Sequence, residues 1–143
     1  MYNYKKNNKL ITSPIPLQGL TSVAITDEDV KYFVGFDTMG KPIIDKNKFA
    51  EIEKLKRINE INAEFDRQCS KVGIDFEGNK FQYDDTSRSR LAETKDDARV
   101  TFWRSLDNKN IPLTNAKKNS LYKVLIDTYY TEFAKKSQVI DGL

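Results

Sequence analysis

The chain has 143 residues, with 24 basic and 21 acidic side chains for a formal net charge of +3, one cysteine and no histidine. That length suits one ordinary domain, or one domain with a small appendage. The absence of histidine excludes Ser-His-Asp and Cys-His nucleophile systems and His-ligated metal sites, and one cysteine excludes a thiolate zinc site and an intramolecular disulfide.

Residues 1–44 read as a β-rich leader segment. In "YNYKKNNKLIT", Tyr2, Tyr4, Leu10 and Ile11 flank a polar run, the pattern of a hairpin or strand pair. Pro14 and Pro16 stop regular pairing and favour an extended edge. In "AITDEDVKYF", Thr26 and Asp29 stand at capping-box spacing, with acidic residues at the positive helix end. This predicts one or two helical turns ending by Gly35. The turn at Gly40-Lys41-Pro42 then leads into a short apolar strand.

Residues 45–143 read as a helix–hairpin–helix–hairpin–helix domain, which makes the fold class α+β. Over 46–72 the apolar residues fall at Phe49, Ile52, Leu55, Ile58, Ile61, Phe65, Cys69 and Val72. The spacing is tighter than 3.6 and approaches that of a coiled-coil seam. Gly73 supplies the helix stop. In "GIDFEGNKFQYDD", a two-residue loop at Gly78-Asn79 sets Glu77 opposite Lys80, Phe76 opposite Phe81 and Ile74 opposite Tyr83. Asp84-Asp85 fits an N-cap and acidic first turn for a helix over about 86–98, with Arg88 and Arg90 facing outward or forming ion pairs. In "VTFWRSLDNKNIPLT", a loop at Asn108-Lys109 pairs Leu106 with Ile111, and Pro112 marks an edge or strand end. Thr114 caps a closing helix whose stripe is Leu121, Val124, Leu125, Thr128, Tyr129, Glu132 and Phe133.

No residue pattern suggests catalysis, and neither a metal nor a cofactor is expected. The acidic doublet lacks the spacing of a calcium loop, and Cys69 reads as a small buried thiol. Basic and acidic residues share the same turns, so no nucleic-acid partner is expected. Lys5-Lys6 and Lys117-Lys118 read as solvated surface. No run is long and apolar enough for a membrane span, and "MYNYKKNNKLITSP" lacks the core of a signal peptide. Synthesis in the cytosol is the expectation.

The candidate interface residues are Phe49, Ile52, Leu55, Trp103, Tyr122 and Tyr130. Phe49, Ile52 and Leu55 extend the long helix beyond what so small a domain readily covers. They are expected to pack on another chain, although burial against the closing helix and hairpins is the open alternative. Trp103 suits a core anchor and an interface anchor equally. Tyr122 and Tyr130 lie outside the closing helix's stripe and suggest either a second contact surface or snorkelling tyrosines.

Ile61-Asn62-Ala63, Asp66-Arg67, Gly73, Phe76, Gly78, Phe81, Asp85 and Ser87 to Arg90 occur in the order I-N-A-x-x-D-R, G-x-x-F-x-G-x-x-F, D-x-S-R-x-R. With Trp103, Asp107, Asn108, Leu113 and Thr114, this series resembles an uncharacterised domain family found in bacteriophage tail-fibre and tail-fibre-assembly proteins, and the opening "YKKNNKLI…GLTSVAITDEDV" is similar to the short leader of its stand-alone members. The segment "AETKDDARVTF" departs from the family in being short and charged, where many relatives carry a longer Ala/Gly-rich stretch. The resemblance implies a non-enzymatic structural or adaptor protein of a phage tail, at the fibre or baseplate and acting by protein–protein interaction. Its partners would be other tail proteins and copies of itself, with a trimer as the family-based expectation and the virion tail as its location. A cytosolic assembly chaperone is the alternative, and a small nucleic-acid-binding protein using Lys117, Lys118 and the Arg88–Arg90 face is a more distant one.

Overall fold

The computed structural model describes all residues 1–143 and has the expected α+β composition: small antiparallel sheets, a long helix, then hairpin, helix, hairpin and helix. The chain divides into two compact units, Met1–Lys56 and Arg57–Leu143. No helix is long and apolar enough to cross a membrane.

In the first unit, β1 (Tyr2–Lys6) and β2 (Lys9–Ser13) form the expected hairpin. Its turn is Asn7-Asn8, at φ 49° and 59°, and asparagine is among the few residues that tolerate this left-handed region. β3 (Thr21–Ser22) pairs with the other edge of β1. Tyr4 is buried there, and its hydroxyl accepts the Leu17 amide at 2.8 Å, which anchors the segment after Pro16. Thr26 accepts the Asp29 amide at 3.2 Å, as a cap should. The helix that follows is a single 3-10 turn, Val30–Tyr32, at the short end of the one or two turns expected before Gly35. Phe33–Phe36, a short apolar and aromatic run, instead forms β4 and pairs with β5 (Pro42–Ile44). Extended pairing wins because the turn between them is fixed twice by Asp37, whose carboxylate accepts the Met39 and Lys41 amides.

α1 runs from Lys46 to Arg67. Asp45 starts it by accepting the Lys48 amide at 2.9 Å, a cap the sequence reading passed over. One wider π turn, Gln68–Val72, completes the predicted 46–72 span and ends at Gly73, φ 68°.

In the second unit, β6 (Ile74–Phe76) and β7 (Asn79–Phe81) form a hairpin whose loop is Glu77-Gly78 rather than Gly78-Asn79. Both loop residues have positive φ, 49° and 82°, which makes a type I′ turn in place of the expected II′. Ile74 faces Phe81, Asp75 faces Lys80 and Phe76 faces Asn79, so the predicted Glu77–Lys80 pair does not form. Glu77 pairs with Lys117 instead. The slip is an even number of residues, so each side chain keeps its predicted face.

α2 spans Asp85–Thr94, shorter than expected, and Asp84 caps it through the Ser87 amide at 2.9 Å. β8 (Phe102–Arg104) and β9 (Asn110–Pro112) pair with Trp103 opposite Ile111, not Leu106 opposite Ile111. The slip here is odd and exchanges faces. Its cause is Ser105, whose hydroxyl accepts the Lys109 amide at 3.1 Å and whose own amide donates to Lys109 O at 2.8 Å. That closes a loop over 105–109 in place of a two-residue turn. Thr114 then caps α3 (Asn115–Asp141) through the Lys117 amide.

The core of this unit is Cys69, Phe81, Tyr83, Leu91, Leu113, Leu121 and Leu125. α2 and β6 both pack on α3. Each fully buried Leu or Phe here contributes about 1.5–3 kcal/mol relative to exposure. Phe65, Trp103, Tyr122 and Tyr129 pack around the edge of this cluster.

Candidate interaction surfaces

The α1 stripe changes character along its length. Phe65 is half-buried, with its ring edge-on to Tyr129 at 5.5 Å, and Cys69 lies in the core. Phe49, nearer the helix start, is half-buried against Tyr32 of its own unit, with ring centroids 5.3 Å apart. Between them Ile52 is 48% and Leu55 61% exposed, and every residue from Ala50 to Arg57 is open to solvent. Two aliphatic side chains one turn apart thus face water on a helix otherwise covered by charge.

The other candidate residues separate in the same way. Tyr130 is 60% exposed on α3, where its ring meets Tyr129 edge-on at 5.4 Å. Tyr122 is half-buried against the core, with the Lys95 ammonium 5.8 Å from its ring centroid. Trp103 is also half-buried against the core.

Trp103 lines a cleft of about 400 Å³ together with Gln82, Arg90, Arg99, Phe102 and Arg104. The sequence reading did not group these arginines. Arg99 is paired with Asp97 at 2.8 Å and holds that carboxyl down to about 2 through its hydrogen bonds. Arg104 donates to the neutral side-chain oxygens of Asn108 and Asn110, at 2.6 and 2.8 Å. Arg90 is exposed and, like Arg104, is absent from the ion pairs of this unit. Of three guanidinium groups in the cleft, two therefore carry charge that no carboxylate neutralises.

Of the basic residues that suggested nucleic-acid contact, Lys117, Lys118 and Arg88 are engaged within the fold, whereas Arg90 is not. Lys118, expected on the surface, is 0% exposed and donates to the backbone oxygens of Thr94 at 2.9 Å and Asp97 at 2.7 Å. It closes the carbonyl end of α2, where a cation is favoured. Lys117 is tied to Glu77. Arg88 pairs with Asp85, donates to Tyr83 O at 3.1 Å and lies 3.3 Å from the Tyr129 ring centroid.

Burial pushes the Cys69 thiol up to about 11, so it carries no thiolate at neutral pH. Burial likewise raises Tyr83 to about 12. No three His, Cys, Asp or Glu side chains come together as metal ligands would.

Residues 53–142 match the family described as Domain of unknown function (DUF4376), and the chain belongs to that family. The matched stretch contains two blocks of the resemblance, from Ile61 to Thr114, while the opening leader, Phe49 and Ile52 precede it. No curated protein and no solved structure matches the chain.

Proposed function

We propose that this member of the DUF4376 family is a non-enzymatic structural or adaptor protein of a bacteriophage tail, at the fibre or baseplate. It works by protein–protein recognition, with other tail proteins and further copies of itself as partners. The observation that carries this reading is the bare aliphatic pair Ile52 and Leu55 on α1. Leaving two such side chains in water forgoes stabilisation that a partner surface would return. The motif series from Ile61 to Thr114 supports the phage setting through its resemblance to tail-fibre and assembly proteins. The capped carboxylate at Asp84 and the protonated thiol at Cys69 support a role in recognition over chemistry.

Mass spectrometry of purified phage particles from a host expressing the chain tests the reading. A structural or adaptor role predicts its peptides in the particle at a fixed ratio to tail proteins. Association with tail proteins in the lysate, but absence from finished particles, would instead assign it as an assembly chaperone. Retention on nucleic acid alone would remove both.

A further inference from the structure

We infer that the cleft between α2 and β8 is a binding site for an extended acidic peptide that joins β8 as an added strand. β8 pairs only with β9. Within that ribbon, Thr101 O accepts the Leu113 amide at 2.9 Å and the Ser105 amide donates to Lys109 O at 2.8 Å. Antiparallel pairing alternates, so the odd-numbered residues of β8 turn their backbone groups to β9 and Phe102 and Arg104 turn theirs away. Pro112 fits this register, because opposite Phe102 no amide is needed from it. The outward N–H and C=O groups of Phe102 and Arg104 have no backbone partner.

The cleft lies along that free edge. Phe102, Trp103 and Arg104 all line it, although successive strand residues point to opposite faces, and no β9 residue does. A cleft reached by both faces of one strand, and by nothing from its neighbour, opens on the strand's edge. Strand addition gives affinity through main-chain hydrogen bonds and specificity through side-chain pockets.

Charge selects the occupant. Arg90 and Arg104 present unneutralised guanidinium groups beside the Phe102 and Trp103 rings. A strand alternating carboxylate and apolar residues would pair its carboxylates with the arginines and set its apolar side chains against an aromatic ring. A polynucleotide fits less well. The cleft offers two guanidinium groups without a carboxylate partner, not a continuous basic track for a run of phosphates. The inference deepens the adaptor reading, on which the partner's identity as a tail protein rests, whereas the recognition chemistry rests on the cleft alone.

Trp103 is the only tryptophan, so its emission reports on the site directly. The intact protein is titrated with a short capped peptide alternating glutamate and valine. The expected result is saturable binding that weakens with salt and falls about tenfold in Arg90→Gln. Arg90 has no ion-pair partner to lose, and circular dichroism confirms that the variant folds. The same peptide with alternate backbone nitrogens methylated should not bind. No saturation, an unaltered affinity in Arg90→Gln, equal binding of the methylated peptide, or tighter binding of oligothymidylate would each overturn the inference. If the chain proves absent from phage particles while the peptide binds as described, the adaptor reading fails and this site stands.

Discussion

Lys118 shows how one residue's role follows from its surroundings. Its ammonium is fully buried and holds two carbonyl oxygens at the end of α2. Lys118→Met would remove two hydrogen bonds from a charged donor, leaving Thr94 O and Asp97 O only the Asp97 and Val100 amides, each at 3.1 Å, at a cost of about 1.5–3 kcal/mol. Lys117→Met removes only a half-exposed ion pair and should cost about 1 kcal/mol or less. Urea denaturation of the two variants should separate them in that order, and equal losses would contradict the assignment. The signal for Lys118 was present in the sequence: it stands three and seven residues before Leu121 and Leu125, on the buried face of α3. Residue type outweighed position in reading it as surface. Cys69 was legible from its place in the stripe, and its chemistry gives a second prediction. In the unfolded chain the thiol ionises near 9, whereas burial in the fold raises it to about 11. Between those values the folded state binds the extra proton, so stability is held below the unfolded value and lost as pH rises through the folded one. Native protein at pH ~8 should resist alkylation at Cys69 and react only on unfolding. Rapid native alkylation would show that the thiol is not protected.

At the scale of elements, caps and periods carried most of the information. Thr26, Asp84 and Thr114 each accept the amide three residues on, and the sequence had marked all three. Hairpins were legible as hairpins, but their registers were set by side chains whose local role no pattern announces. Glu77 occupies a positive-φ position that asparagine or glycine would normally take, and Ser105 closes a five-residue loop with its hydroxyl. The 74–81 slip was even and preserved the buried face, whereas the 102–112 slip was odd and did not. The arginine cleft was illegible for another reason: Arg90, Arg99 and Arg104 come from three segments that only tertiary structure brings together. The junction between helix and hairpin supplies a further prediction. Gly73 sits at φ 68°, ψ −166°, and a Cβ there would lie 2.4 Å from Phe81 O. Gly78, at φ 82°, has open space around it. Gly78→Val should therefore cost about 1–3 kcal/mol from backbone strain alone. Gly73→Ala should cost more, because strain and a backbone clash add. Thermal melts that rank the two the other way would contradict this account of the junction.

For the whole molecule, the question is what covers the exposed turn of α1. The matched family begins within that helix, at residue 53, and the aliphatic pair Ile52 and Leu55 straddles its start. The coiled-coil-like spacing that drew attention to this stripe is sound for its second half, where Phe65 packs on Tyr129 and Cys69 enters the core. It left open whether the first half was core or interface. The structure narrows that choice: Phe49 is covered by Tyr32, and Ile52 and Leu55 are not covered. A symmetric association through this helix would bury both residues in each copy. The most direct test is light scattering on the parent and on Ile52→Glu with Leu55→Glu, each alone and mixed with candidate tail proteins. Both positions face solvent in the isolated chain, so the variant should fold and melt as the parent does. The adaptor account predicts that the parent associates, with its own copies or with a tail protein, and that the double variant stays monomeric and unbound. A folded variant that matches the parent in mass and in partner binding would contradict it.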